Sequence, residues 1–134
     1  MPNSPVIKLD IRFGGSSDPG WSNVTANNGQ IYGYSYTGGD DNAGNLHQTV
    51  GQGRDVVPLQ LNADHRYQIA GCTITDDPNH QLSWNGNSPY AGTLTDANTA
   101  VANAKYTINV TDTGNGNCAI PCDPRVINIE PSAV

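Results

Sequence analysis

The stretch Val-Ile-Lys-Leu-Asp-Ile-Arg-Phe at residues 6–13 alternates apolar and charged side chains almost without interruption. A period of two residues places one set on each face of an extended chain, so the stretch predicts a β-strand with one buried and one wet face. Similar short runs, separated by Gly, Pro, Asn and Asp, recur along all 134 residues. Their number predicts about seven or eight antiparallel strands.

The composition favours the same class of structure. Hydrophobic residues make up 36% of the chain and charged residues only 13%, with 15 Gly and 9 Pro. Such a chain is typical of short strands joined by turns, since helices favour Ala, Leu, Glu and Lys. We therefore predict a single all-β domain over residues 1–134, an immunoglobulin-like, Greek-key sandwich of two sheets.

The charge balance argues against two classes of partner. Twelve acidic residues outnumber six basic ones, which gives a net charge of -6, and the basic residues are scattered. Because phosphate backbones and anionic lipids attract clustered Lys and Arg, we expect no nucleic-acid and no membrane partner. The first residues, Met-Pro-Asn-Ser-Pro, lack the basic and apolar pattern of a secretion signal, which predicts a cytoplasmic protein.

Two features are similar to immunoglobulin domains. Cys72 precedes Trp84 by twelve residues, and Tyr106 enters a strand after a corner of small residues, as in a tyrosine corner. The position where such domains carry their second cysteine holds Ile108. The sandwich is therefore predicted to be held by packing and not by an inter-sheet disulfide.

Three strand features carry further expectations. Tyr32, Tyr34 and Tyr36 share one face of a strand and are expected to cover a core edge with their hydroxyls in water, with a binding platform as the alternative. Pro58 restricts its strand to an edge or a bulge. A change in the apolar phase predicts a β-bulge near Ala70.

Cysteine and histidine usage predicts neither a cofactor nor a metal centre of known spacing. Cys72, Cys118 and Cys122 are an odd number in a chain without a signal pattern, so reduced thiols are expected. Cys118 and Cys122 fall in a turn-rich segment, as half-buried thiols or as an occasional disulfide. No His pair has the spacing of a zinc site.

The longest irregular connection, residues 38–53, contains the candidate metal ligands Asp40, Asp41 and Asn42. Their spacing does not complete an EF-hand, but a looser calcium site is one interpretation and a flexible polar loop is the other. Trp21 and Tyr90 lie in predicted loops, where an exposed aromatic ring can stack on a sugar, and are the candidate ligand residues.

The run Cys-Asp-Pro-Arg-Val-Ile-Asn-Ile-Glu-Pro at residues 122–131 resembles the signature of the DP-EP family, small prokaryotic proteins named after two dipeptides. Asp123-Pro124 and Glu130-Pro131 carry the match. The resemblance implies a bacterial β-sandwich of unassigned activity. Physically, the first pair is expected to form a turn into the last strand and the second to end that strand. The motif is therefore predicted to be structural, with a ligand site as the alternative.

The sequence shows no catalytic constellation. It lacks a Gly-x-Ser-x-Gly elbow, and its acidic clusters lie at turns, where Asp caps its own backbone. We therefore expect a non-enzymatic module that binds another protein through a sheet face or its long loops. The alternatives are a domain that binds a small ligand, a carbohydrate or calcium, and an enzyme whose site the spacing does not reveal.

Overall fold

The computed structural model describes residues 6–131, except for the side chains of residues 123–125. This part of the chain forms ten strands and no helix, which confirms the all-β prediction. In chain order the strands are β1 (Ile7–Phe13), β2 (Ser22–Thr25), β3 (Ile31–Gly38), β4 (Leu46–Thr49), β5 (Asp55–Leu61), β6 (Tyr67–Thr75), β7 (Leu82–Ser88), β8 (Ala91–Asp96), β9 (Ala102–Asp112) and β10 (Cys118–Glu130). The predicted number of strands was too low: β2 and β4 are only four residues long, and β4 lies within residues 38–53, which were predicted to be irregular.

The strands form two sheets. The first has the order β2-β3-β1-β5-β8-β7 and the second the order β4-β10-β9-β6. The prediction of purely antiparallel sheets was wrong, because β1 pairs with β5 and β10 with β4 in parallel. The chain leaves the first sheet after β3, adds β4 to the second sheet and returns as β5, so β5 runs in the same direction as its neighbour β1. In the described part of the chain, no helix is long and apolar enough to cross a membrane.

The core lies between the two sheets, which pack face to face. The Tyr36 and Tyr106 rings meet edge to face with their centroids 5.9 Å apart, one ring from each sheet. Alternate residues of each strand point into this layer, as the period of two requires. The fully buried members include Ile7, Leu9, Val57, Leu59 and Leu94 of the first sheet and Ile108, Val110, Ile120 and Ile127 of the second.

The hydroxyls of the β3 tyrosines do not reach water. The Tyr32 hydroxyl donates to Oδ2 of Asp112 over 2.6 Å, and the Tyr36 hydroxyl donates to the Cys122 carbonyl over 3.3 Å. The alternation identified the inward face correctly. The expectation of wet hydroxyls was wrong because the second sheet covers the ends of these side chains.

The Tyr106 hydroxyl donates to the carbonyl of Gly44, 62 residues upstream, whereas the acceptor in a tyrosine corner lies a few residues upstream. Cys72 and Trp84 lie on β6 and β7, which are edge strands of different sheets. All three cysteines are free thiols.

The two predicted irregularities had different outcomes. The register of β6 against β9 shifts between Ile69 and Gly71, which confirms the bulge. Pro58 does not lie on an edge, because β5 is central between β1 and β8. Its strand tolerates the missing N–H because pairing with β1 begins only at Leu59.

β10 is longer than predicted and continuous. It runs from Cys118 to Glu130, with a register shift between Cys122 and Arg125 in place of the expected turn. The backbone of Asp123 and Pro124 therefore belongs to the strand, while their side chains lie outside the described residues. Cys118 and Cys122 are four positions apart on one strand, about 13 Å, which exceeds the reach of a disulfide. The strand ends at Glu130, directly before Pro131, as the motif predicted.

Candidate functional site

The predicted calcium ligands Asp40, Asp41 and Asn42 support the backbone of their own loop. Their oxygens accept hydrogen bonds as follows: Asp41 from Ala43 and from Asn45, Asp40 from His47, and Asn42 from Gly38, over 2.6–3.2 Å. Burial would raise the pKa of Asp41, but the hydrogen bonds from Asn45 and Ala43 outweigh it and hold that pKa below its ordinary value. The structure thus shows the three side chains closing turns.

A groove of about 410 Å³ lies between this loop and β10. Its lining includes Asp41, His47, Val126 and Asn128. The imidazole of His47 lies 3.3 Å from the carboxylate of Glu130, so Glu130 contacts the neighbouring strand β4. Both side chains are exposed.

Trp21 and Tyr90 lie in different places, and each ring is partly covered by the chain itself. The Arg12 guanidinium lies over the Trp21 ring at 3.9 Å. Tyr90, in the turn between β7 and β8, stacks on His65 with the centroids 4.7 Å apart. The structure therefore does not combine the two predicted ligand residues into one surface.

Sequence reasoning missed a buried polar network that joins the two sheets. Asp112, at the end of β9, accepts two hydrogen bonds from the Arg66 guanidinium (2.7 and 2.8 Å), one from Tyr32 and one from the backbone N–H of Gly114. Burial would raise the pKa of Asp112, but these donors hold it below its ordinary value. Burial and the contact with Asp112 raise the pKa of Tyr32, so it stays protonated as the donor.

Arg66 also borders an exposed aromatic ring. Phe13 is 53% exposed, and the Arg66 guanidinium lies 5.9 Å from the centre of its ring. The Phe13 ring also meets the Tyr32 ring edge to face, with the centroids 5.4 Å apart. A groove of about 270 Å³ lies here, and Gln30 and Asn115 add amide groups to its lining. We call it the Phe13 groove.

A second missed cluster is a pair of buried acids. Asp55 opens β5 and Asp96 closes β8, and the two are directly opposite in the antiparallel ladder. Burial, with a smaller contribution from Asp40, raises the pKa of Asp55. Burial also raises the pKa of Asp96 to about 6, and repulsion from Asp55 and Asp77 adds to the shift. Each acid follows or precedes a turn in the sequence, a position where carboxylates are usually solvated, so no local pattern indicated the pair.

Comparison with known proteins adds no identity: no family model matches the chain, and no curated protein matches its sequence.

Proposed function

We propose that this domain is a non-enzymatic protein-interaction module and that the Phe13 groove is its contact surface. The observation that carries the proposal is the exposure of Phe13 beside Arg66. Aromatic and Arg side chains dominate the binding energy of protein interfaces, and they do so where they are held in place before binding.

The surroundings of the groove fix both side chains. Two hydrogen bonds to buried Asp112 hold the Arg66 guanidinium, and the edge-to-face contact with Tyr32 supports the Phe13 ring. Because these side chains are already fixed, binding of a partner would cost little of their conformational entropy. The amides of Gln30 and Asn115 supply donors and acceptors at the rim, as interfaces of standard composition do.

The shifted acids support a role without catalysis. Asp112 is saturated by four hydrogen bonds, and Asp55 and Asp96 are buried, so none of the three presents a free carboxylate to the Phe13 groove. A general acid or base has to reach the proton that it transfers.

The same proposal extends to ancestry. Residues 122–131 support membership of the DP-EP family and a bacterial origin, through the dipeptides Asp123-Pro124 and Glu130-Pro131. The face-to-face packing of two sheets supports an immunoglobulin-like relationship, although both sheets carry a parallel pair.

Capture of proteins from bacterial extract on the immobilised domain tests the function, with three baits compared by quantitative mass spectrometry. The baits are the wild type, Phe13→Ser and the control Val101→Ser, whose side chain is 50% exposed away from the groove. We expect a partner that the wild type and the control retain equally and that Phe13→Ser retains at least about tenfold less. Equal retention of every captured protein by all three baits contradicts the proposal.

A further inference from the structure

We propose that Asp55, Asp96 and Asn98 bind a hard divalent cation, for which Ca²⁺ is the best match. This site is separate from the Phe13 groove and does not depend on the proposed interaction function. It also differs from the loop of Asp40, Asp41 and Asn42 that the sequence indicated.

The two carboxylates are forced together by the fold. Asp55 and Asp96 are cross-strand partners in the ladder between β5 and β8. The β-carbons of such partners lie about 5 Å apart. Both residues are almost completely buried, at 0% and 2% exposure. In the described part of the chain no Lys or Arg forms a salt bridge with either.

Among the described residues, each carboxylate accepts a hydrogen bond at only one of its two oxygens. The side-chain amide of Gln52 donates to Oδ2 of Asp55 over 3.0 Å, and the backbone N–H of Asn98 donates to Oδ1 of Asp96 over 3.1 Å. Oδ1 of Asp55 and Oδ2 of Asp96 are buried and have no hydrogen-bond partner among the described residues. Buried polar atoms are almost always paired, so two free acceptors on facing acids need an explanation.

Asn98 supplies a third buried oxygen without a hydrogen-bond partner among the described residues, the oxygen of its neutral side-chain amide. The residue is 1% exposed. Its Nδ2 donates to the Gly53 carbonyl over 2.8 Å, two residues before Asp55, while its backbone N–H holds Asp96. Asn98 thus bridges the start of β5 and the end of β8, so its buried amide oxygen belongs to the residue that joins the two acids.

The donor set selects the kind of ion. The two carboxylates and the amide oxygen are all oxygen ligands. The two ionised carboxylates carry a charge of -2, which one divalent cation balances. Ca²⁺ binds six to eight such oxygens in flexible geometry, with waters and carbonyls completing the shell, whereas Mg²⁺ demands a stricter octahedron. No group of three or more His, Cys, Asp or Glu side chains forms a metal cluster in the described residues, so a softer metal has no ligand set here.

A proton shared between the two carboxylates is the competing explanation, because it also removes the repulsion. The two explanations differ in what stabilises the fold at neutral pH. A bound cation makes the melting temperature depend on the metal, since a ligand of the folded state alone stabilises that state. A shared proton makes it insensitive to metal.

The test is thermal unfolding of the full chain at pH 7.5 after treatment with chelator, with and without millimolar Ca²⁺ or Mg²⁺. Three proteins are compared: the wild type, Asp96→Asn, and the control Asp41→Asn, which alters the acidic loop. We expect Ca²⁺ to raise the melting temperature of the wild type and of Asp41→Asn by several degrees, with a smaller effect of Mg²⁺. Asp96→Asn should lose the response and, because the like charges are gone, should melt no lower than the metal-free wild type.

Calorimetric titration of the metal-free wild type with Ca²⁺ should give one site per chain. Absence of a response to either metal in the wild type overturns the proposal in favour of the shared proton. A response that survives in Asp96→Asn overturns it as well, because the ion then binds elsewhere. Phe13→Ser should keep the full Ca²⁺ response, so a failed interaction test and a failed metal test are distinguishable.

Discussion

Asp112 shows how a buried charge becomes tolerable in this core. Its carboxylate is fully buried and would be costly alone, but Arg66, Tyr32 and Gly114 together give it four hydrogen bonds. Removal of one partner of a buried ion pair leaves the other charge uncompensated. Tyr32 links this network to the first sheet, and Arg66 supplies the positive charge that compensates the buried carboxylate.

Replacement of Arg66 by Met keeps much of the side-chain volume and removes the charge. We expect Arg66→Met to lower the free energy of unfolding clearly more than the control variant below, because it leaves the buried Asp112 carboxylate without its cation; urea titration at pH 7 measures the loss. The matched control is Arg12→Met, which breaks the exposed pair with Asp18 and should cost no more than about 1 kcal/mol. Equal losses in the two variants would show that Asp112 does not depend on Arg66.

For single residues, the sequence predicted which side chains point into the core but not which residues they contact there. The period of two placed the rings of Tyr32 and Tyr36 on the inward face of β3, which the structure confirms. The hydrogen bond from Tyr32 to Asp112 spans 80 residues, and the pairing of Asp55 with Asp96 depends on the ladder between two strands. No local sequence pattern contains either contact. Both clusters could therefore be identified only from the assembled sheets.

β3 ends at Gly38, a position where both the backbone conformation and a close backbone contact favour glycine. Gly38 has φ +77, a left-handed conformation, and a β-carbon there would meet the backbone carbonyl oxygen of Val6. The conformation alone costs an L-residue about 1–2 kcal/mol. The clash with backbone adds to that cost, because the Val6 carbonyl is held by a hydrogen bond from the N–H of Gly39.

Comparison of Gly38→Ala with Gly29→Ala separates the two costs. Gly29 has φ +86, and a β-carbon there meets nothing within 4 Å. We expect Gly38→Ala to lose roughly 1–3 kcal/mol more of unfolding free energy than Gly29→Ala, by the usual cost of overpacking. Urea titration of both variants measures the difference. Equal losses would mean that the Val6 backbone adjusts freely.

β10 marks the limit of strand prediction along the chain. The alternation after Arg125 was readable, but Pro121 and a Gly-rich approach made residues 118–122 look like a loop. In the structure Ala119 donates its N–H to Asn27, away from β9, so the Pro121 nitrogen also faces away from β9. Proline fits this strand because its ladder with β9 does not need that donor.

Over the whole molecule, composition and periodicity were sufficient for an all-β chain but not for its topology. The parallel pairs of β1 with β5 and of β10 with β4 follow from crossings between sheets, which alternation along a single strand does not encode. The order of strands in a sheet depends on which strands pair at their edges. Contacts between segments that are distant in the sequence decide that pairing. The prediction of one domain over residues 1–134 is tested by whether the two sheets unfold together.

Two natural sets of probes report on the two sheets separately. Trp21 and Trp84 lie beside or within the first sheet, while buried Cys118 and Cys122 belong to β10 of the second. The Cys72→Ser variant removes the half-buried third thiol, so tryptophan fluorescence then follows one sheet and pulsed thiol labelling the other.

We expect the fluorescence and labelling curves against urea to coincide in midpoint and slope. The reason is that Tyr32 and Tyr36 of the first sheet donate hydrogen bonds into the second, and the two inner faces form one core, so neither sheet retains its buried surface alone. Coincidence of independent probes is the mark of a two-state transition. If the thiols of β10 became reactive at a lower urea concentration than the tryptophan transition, the sheets would be separate cooperative units, and the prediction of one domain would be wrong.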